Sequence, residues 1–398
     1  MACTYGRYRP RLWRSRERRA HLPSPHEPYA ARRKAAIATT ALTNYNRAMV
    51  KTKKARTRRS SSGSAPRRYN IKEVALAADV SVATVSRTLA MPDVVLPETR
   101  QRVQDAIRRL GYTPNVQARS LRTARSNVIV ALVPDISNPF FAEVIRGIEQ
   151  VAHRNRYSVL LGDTQYSSDR EQAYADLLGA RQADGLITLL PHIPQISSAG
   201  PPPIVNACEY VADPSITSVY VDNVAGAREA VEYLLTLGHR AIAFIAGPMN
   251  SPINVDRDRG YEGALASAGI KRSRKLTVEG DFSAESGIRA TESLFARGES
   301  FTAVFCSNDE MAMGALRAIK SRGLRVPEDI SVVGFDDIRF ARYCDPPLTT
   351  IAQPMGDIGR EAMTMLIEIL NGTDVPPRKR ILPTQLVVRG SAARRKTT

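Results

Sequence analysis

The chain is 398 residues long, enough for two or three domains, and its 43% hydrophobic and 24% charged side chains are the balance of a globular protein. No apolar run reaches the roughly 18 residues that a membrane helix needs. The arginine-rich start has no apolar core of a secretion signal, so membrane and exported classes give way to a cytoplasmic one.

The net charge of +18 is unevenly placed. Residues 1–68 hold 19 of the 57 Lys and Arg side chains against two acids, Glu17 and Glu27, whereas residues 127–398 hold 29 basic and 32 acidic side chains. A basic front end on a near-neutral body points to a polyanion partner for the front end alone. A solvated tail with no specific role is the alternative, above all for residues 1–48. Segment 1–68 shows neither helical nor strand periodicity and is expected to be a disordered extension. Met49 directly precedes the Lys/Arg run at 51–59, so a translation start there, leaving 1–48 untranslated, is a further expectation.

Order is expected from Tyr69. Asn70 can cap a helix, with Glu73 reaching back to close a capping box. Val74, Ala75 and Ala78 make its apolar face, Asp79 and Val80 turn the chain, and Ser81 caps a second helix. In that helix Val85 and Leu89 are predicted to point inward, and Val82, Ala83, Ser86 and Arg87 outward. Two short helices around a tight turn read as a helix-turn-helix, or as part of any small helical bundle. A third helix begins at Pro97 and stops at Gly111, with Val103, Ala106, Ile107 and Leu110 as its buried stripe.

From residue 127 onward, apolar strand-like runs alternate with amphipathic helices. The strands are predicted at 128–133, 158–162, 185–190, 204–207, 219–222, 242–246, 303–307 and 330–334. Helices are predicted at 141–154, 170–181, 224–237, 257–268, 284–296 and 309–322. Such alternation implies parallel sheets with helices on both faces, and about 270 residues is more than one such core holds, so two subdomains are expected.

The motif Val-Ala-x-x-Ala-x-Val-Ser-x-x-Thr-Val-Ser-Arg at 74–87, Leu-Gly-Tyr-x-Pro-Asn at 110–115 and Ala-Arg-Ser-Leu at 118–121 resembles the LacI/GalR family of bacterial repressors over residues 69–390. The resemblance implies an N-terminal all-α helix-turn-helix domain, 69–126, and an α/β periplasmic-binding-protein-like (type I) effector domain of two parallel-sheet subdomains, 127–390. The N-subdomain would take about 127–222 and 354–383, the C-subdomain about 223–352, and 391–398 a tail.

By the same resemblance, Val82, Ala83 and Arg87 face base edges, Arg87 pairing with guanine and the small apolar pair with thymine methyls. Thr84 and Ser86 bond phosphates. Residues 117–123 resemble the family's hinge helix, which folds only when two subunits sit on an operator. Leu121 would wedge into the minor groove and Arg119 and Arg122 flank it on the phosphates. A plain linker is the alternative, since so short a helix is marginal alone.

The effector cleft carries over motif by motif: Asn138 and Phe140 after the first strand, Cys208 where the family commonly has Asn, Asp222 at the first crossing, Arg257 to grip a polar group, Asn308 and Asp336 for ligand hydroxyls, and Gln353 at the second crossing. Each has a plainer reading: Asn308 or Asp336 as a helix cap, Phe140 as core. The segments 141–149, 161–163, 280–282 and 343–354 are similar to a nucleoside-responsive branch of the family, which makes a nucleoside the first expectation for the effector and a sugar the second.

No chemistry of another kind competes. The four cysteines (Cys3, Cys208, Cys306, Cys344) lack paired spacing, and the five histidines neither cluster nor show metal-ligand spacing. His239 is expected to end a helix and contact its carbonyls. No phosphate loop or nucleophile elbow is present, so neither an enzyme, a cofactor nor a metal is expected. A periplasmic solute-binding protein would lack the helix-turn-helix, and a nonspecific basic-tail DNA binder would not need the cleft. The expected assembly is a homodimer on a near-palindromic double-stranded DNA operator, without a leucine-heptad tetramer.

Overall fold

The computed structural model describes residues 69–113, 125–196, 202–211, 213–372 and 376–395. The extension 1–68 and the expected hinge helix, with Arg119, Leu121 and Arg122, lie outside the described residues. The chain divides into two compact units, one ending at Pro114 and the other starting at Asn115.

Among the described residues the first unit holds three α-helices, α1 (Ile71–Ala78), α2 (Val82–Ala90) and α3 (Pro97–Leu110), with a 3-10 turn at Pro92–Val94. The capping box forms as the sequence predicts: Asn70 Oδ1 accepts from Lys72 N and Glu73 N, and Asn70 N donates to Glu73 Oε2 at 2.8 Å. Asp79 turns the chain at φ 51°, a left-handed conformation that Asp tolerates. Two arginines of α3 then satisfy the carbonyls at the end of α1. Arg102 donates to Ala78 O and Asp79 O at 2.6 and 2.7 Å, and Arg109 to Ala77 O at 3.1 Å. Cations belong at this negative end of the helix. The core is Val74, Ala75, Ala78, Val85, Val103 and Ala106, with Ile107 and Leu110 half-buried beside it.

One predicted core residue is corrected. Leu89 is exposed and Thr88 is buried in its place. The contact line of α2 runs along Val85 and Thr88, and the Thr88 hydroxyl donates to Thr84 O at 2.9 Å, so its burial leaves no orphan donor.

The second unit holds two sheets of six strands. The first runs in the order β11 (Lys379–Leu382), β5 (Thr217–Val221), β4 (Ile204–Cys208), β3 (Gly185–Thr188), β1 (Val128–Val133), β2 (Ser158–Asp163), all parallel. The second has the same winding: β12 (Gln385–Val387), β10 (Thr349–Ala352), β9 (Ser331–Asp336), β8 (Ala303–Cys306), β6 (Ile242–Ala246), β7 (Thr277–Glu279), antiparallel only at β12. In each sheet the winding reverses beside the first strand, where open α/β sheets leave a crevice at the strand C-termini.

Helices α4 (Pro139–Arg154), α5 (Ser168–Gly179) and α10 (Met355–Leu370) cover the first sheet. Helices α6 (Asn223–Thr236), α7 (Pro252–Ser267), α8 (Ala284–Ala296) and α9 (Asp309–Ser321) cover the second. Close helix pairs rest on glycine: a Cβ on Gly359 of α10 would lie 2.0 Å from Val144 O of α4.

The chain passes between sheets after β5 and after β10, and a third time at residues 383–384, which the sequence did not disclose. The predicted strands are present to within a few residues, whereas β7, β10, β11 and β12 are additions: three or four residues each, too short to show a period. The stretch from 391, expected as a tail, is anchored as far as Arg395. Ser391 Oγ donates to Val332 O at 2.6 Å and accepts from Thr349 N at 2.8 Å, and Arg395 N donates to Leu237 O at 2.8 Å. His239 closes the end of α6, as predicted, through its backbone N, which donates to Leu234 O at 3.2 Å, while its ring nitrogens lie 2.9 Å from Thr302 Oγ1 and 3.0 Å from Ala393 O and tie the C-terminal segment to the second sheet.

Candidate DNA interface and effector cleft

In the first unit, α2 presents Val82, Ala83 and Arg87 to solvent, with Thr84 and Ser86 half-buried. Ser81 caps the helix, its Oγ accepting from Thr84 N at 3.0 Å and lying 2.9 Å from Thr84 Oγ1. The outward face is small and apolar at its start and cationic one turn on. That is the shape of a helix able to enter a major groove, where base edges are distinguishable.

In the second unit, Arg257 of α7 organises the cleft. Although its guanidinium is buried, its Nε donates to Asn223 Oδ1 at 2.9 Å, its Nη1 to Ser307 O, and its Nη2 lies 3.6 Å from Asp336 Oδ1. Its Cζ sits 3.8 Å above the centre of the Phe335 ring, a cation–π contact. One side chain thus ties together the start of α6, the end of β8 and the end of β9. Gln353 completes this corner, donating through Nε2 to Asp336 Oδ1 at 2.7 Å.

Burial pushes the Asp336 carboxyl up to about 6, against the lowering by Arg257 and Gln353. Beneath it, burial pushes Asp309 well above the carboxylate range, although Thr350 Oγ1 and Ile338 N donate to it at 2.5 and 2.9 Å. Glu310, on the same helix, is pushed up to about 7 by burial and then by Asp336, Asp135 and Glu285. Burial thus holds all three of these neighbouring carboxyls above their ordinary values.

The other predicted residues divide. Asn308 is buried and bonded at both ends of its amide: Oδ1 accepts from Met311 N at 3.0 Å, capping α9, and Nδ2 donates to Phe282 O at 2.9 Å. Asp222 is exposed and caps α6 through Ala225 N at 2.8 Å, and Asn138 is half-buried and caps α4 through Phe140 N at 2.9 Å. Phe140 lies in the core of the first sheet with Val144, Ile338 and Met355. Cys208 ends β4 at φ 74°, buried, and burial pushes its thiol well above the usual range, which keeps it protonated and a poor nucleophile. Gln353 also lines a cavity of 380 Å³ with Asp337, Arg339 and Asp357.

Sequence reasoning missed Asn223, Asn254, Ser307 and Glu209. Asn254 is wholly buried, its Oδ1 accepting from Gly247 N at 2.6 Å and Ser307 Oγ at 3.3 Å, so it holds the β6 loop against the end of β8. Glu209 follows β4, with 8% of its surface exposed and Oε2 unpartnered. Its position two residues past the predicted strand end at 207 was the available signal.

Two family profiles match the chain: the one described as bacterial regulatory proteins, lacI family, over residues 70–115, and the periplasmic binding protein-like domain over residues 231–392. The HTH-type transcriptional repressor CytR of Escherichia coli (strain K12) is 43% identical over 325 residues, 81% of this chain and 95% of that protein. Catabolite control protein A of Priestia megaterium is 37% identical over 81% and 98%. Among solved structures, the lac repressor dimer bound to operator and the anti-inducer ONPF superposes with a TM-score of 0.73 at 30% identity, covering 82% of this chain and all of that one. The transcriptional regulator CelR–cellobiose complex does so with a TM-score of 0.63 at 32% identity, over 82% and 100%. These relatives are transcriptional regulators, and among the described residues no helix is long and apolar enough to cross a membrane. The chain belongs to the lacI family of bacterial regulatory proteins.

Proposed function

We propose that the chain is a ligand-responsive, sequence-specific repressor of transcription that acts as a homodimer in the cytoplasm and is not an enzyme. Helix α2 reads the operator: Arg87 a guanine, Val82 and Ala83 thymine methyls, Thr84 and Ser86 the phosphates. Residues 117–123 form the hinge helix, with Leu121 as minor-groove wedge between Arg119 and Arg122. The effector is a small polar molecule taken between the two sheets, near Asn138, Cys208, Asp222, Arg257, Asn308, Asp336 and Gln353.

The observation that carries this reading is the Arg257 knot. A buried guanidinium bonded to three strand or helix ends at the crevice reports any displacement of those ends by a ligand. Phe140, Asn308, Asp222 and Asn138 act from behind, by fixing the helices and loops that shape the crevice. A ligand that prefers one arrangement of the sheets shifts the DNA-competent population; a tenfold change needs about 1.4 kcal/mol of differential affinity.

A nucleoside is favoured as effector by the 43% identity to CytR, and a sugar is the second reading, favoured by the cellobiose complex of CelR. Selecting bound DNA from a random pool, with and without nucleosides and sugars, tests the reading. A near-palindrome whose recovery depends on one of these compounds is expected. Recovery of unrelated sequences would overturn it.

A further inference from the structure

Glu209 is buried, belongs to no helix cap, and has a carboxyl oxygen, Oε2, that no donor among the described residues reaches. The left-handed turn at Cys208, φ 74°, carries it off the end of β4. Arg257 is near enough to favour its charged form, yet donates to Asn223 and Ser307 and pairs with Asp336 instead. Asp336, the other carboxyl of the cleft, already accepts from Gln353. Buried acceptors are ordinarily satisfied, and one left open beside a ligand crevice is a place for a ligand donor.

We propose that Glu209 is a further specificity-determining residue of this cleft, its Oε2 accepting a hydrogen bond from an N–H group of the effector, of the kind an exocyclic amine of a nucleobase carries. The inference rests on the effector reading above and narrows it. A hydroxyl buried at this spot would bring lone pairs that need a donor of their own, whereas a conjugated amine only donates, and a carboxylate only accepts. The two are therefore complementary without remainder.

The contact is linked to a proton. Burial pushes the Glu209 carboxyl up to about 7; Arg257 pulls it down and Asp256, also on α7, pushes it up. The remaining titratable groups that face it are Cys208 on β4, Tyr166 after β2, and Asp336, which acts on Cys208. Accepting an N–H bond favours the charged form, so a ligand bound this way expels the proton. Its affinity rises as pH rises from 6 to 8, by about five- to tenfold for a group that titrates near 7.

Isothermal titration of the full chain with cytidine, adenosine and ribose at pH 6 and pH 8 tests this, in buffers of different ionisation heat so that proton release is counted. Wild type, Glu209→Gln and Glu209→Asp are compared, and operator binding without ligand shows that each variant is folded. For the nucleosides, wild type is expected to bind at least fivefold more tightly at pH 8 than at pH 6, with proton release. Glu209→Gln is expected to bind at least tenfold more weakly than wild type at pH 8, with a smaller rise in affinity from pH 6 to pH 8 and less proton release, the remainder coming from Asp336 and Glu310. Glu209→Asp is expected to keep the pH dependence at reduced affinity. Nucleoside binding by Glu209→Gln with wild-type affinity and pH profile would overturn the proposal. Binding of ribose alone would also overturn it, while leaving the ligand-responsive repressor intact. If none of the three compounds bound, the proposal would fall, and the repressor would stand or fall by DNA selection.

Discussion

The Arg257 guanidinium faces the Asp336 carboxyl at 3.6 Å, both buried, and so joins α7 to the end of β9. The pair is not an isolated ion pair, because the same guanidinium also serves Asn223 and Ser307 and stacks on Phe335. Replacing it by an apolar side chain of similar length leaves the buried Asp336 carboxyl without its counter-charge, and Asn223 Oδ1 and Ser307 O without this donor. Arg257→Met is expected to lower the unfolding free energy by about 3–5 kcal/mol, the cost of breaking a buried charge pair by removing one partner. Urea denaturation followed by circular dichroism measures it.

Glu209 stands in the opposite relation to stability. Its carboxyl titrates near 7 in the folded chain and at about 4.5 in the unfolded one, so the folded chain holds the extra proton between those values. Its contribution to stability is therefore full below pH 4.5 and is lost as pH rises to 7. Glu209→Gln removes that loss and is expected to stabilise the ligand-free protein at pH 8 by up to about 3 kcal/mol, at 1.36 kcal/mol per pKa unit. Melting curves at pH 5 and pH 8 check this: the variant should gain over wild type only at the higher pH. Asp336 and Glu310 titrate upward in the same window, so part of the slope survives in the variant.

Helices α4 and α10 cross at backbone contact. A methyl group on Gly359 would lie 2.0 Å from Val144 O, and one on Gly147 would lie 2.2 Å from Gly356 O. Backbone on the far side cannot give way as a flexible side chain can. Gly359→Ala is expected to destabilise by roughly 1–3 kcal/mol or more, as overpacking does, even though alanine favours helix. Thermal unfolding provides the measurement, and an unchanged midpoint would mean that the two helices stand further apart.

Arg87 projects from α2 into solvent, so its loss does not touch the three-helix core. Arg87→Ala is expected to cost about 1–3 kcal/mol of operator affinity and to relax preference at a single guanine of each half-site. Melting temperature should be unaffected. Competition binding against operators substituted at each position reads both effects.

The helix-turn-helix was legible because its signals are local: Asn70 with Glu73, Ser81, Pro97 and Gly111 each act within four residues of where they sit. Leu89 was misread because periodicity cannot tell Val85 and Thr88 from Val85 and Leu89 on so short a helix. The central strands were legible as apolar runs, but β11 and β12 were not, since three or four residues on a sheet edge carry no pattern. In the cleft, Arg257 and Asp336 emerged together through the family motif and are joined in space. Asn308, Asp222 and Asn138 turned out to have side chains committed to helix caps, the plainer reading for an Asn or Asp at such a position. Glu209 and Asn254 escaped notice because burial and the lack or supply of a partner are set by chain segments far away in sequence.

The most direct measurement is the affinity of the full chain for its selected operator, titrated with the cleft empty and then saturated with a ligand identified by calorimetry. The expected result is a change in operator Kd of tenfold or more on saturation, abolished in Asp336→Asn while operator binding without ligand persists. An operator Kd identical in all of these states would contradict the coupling of cleft to DNA.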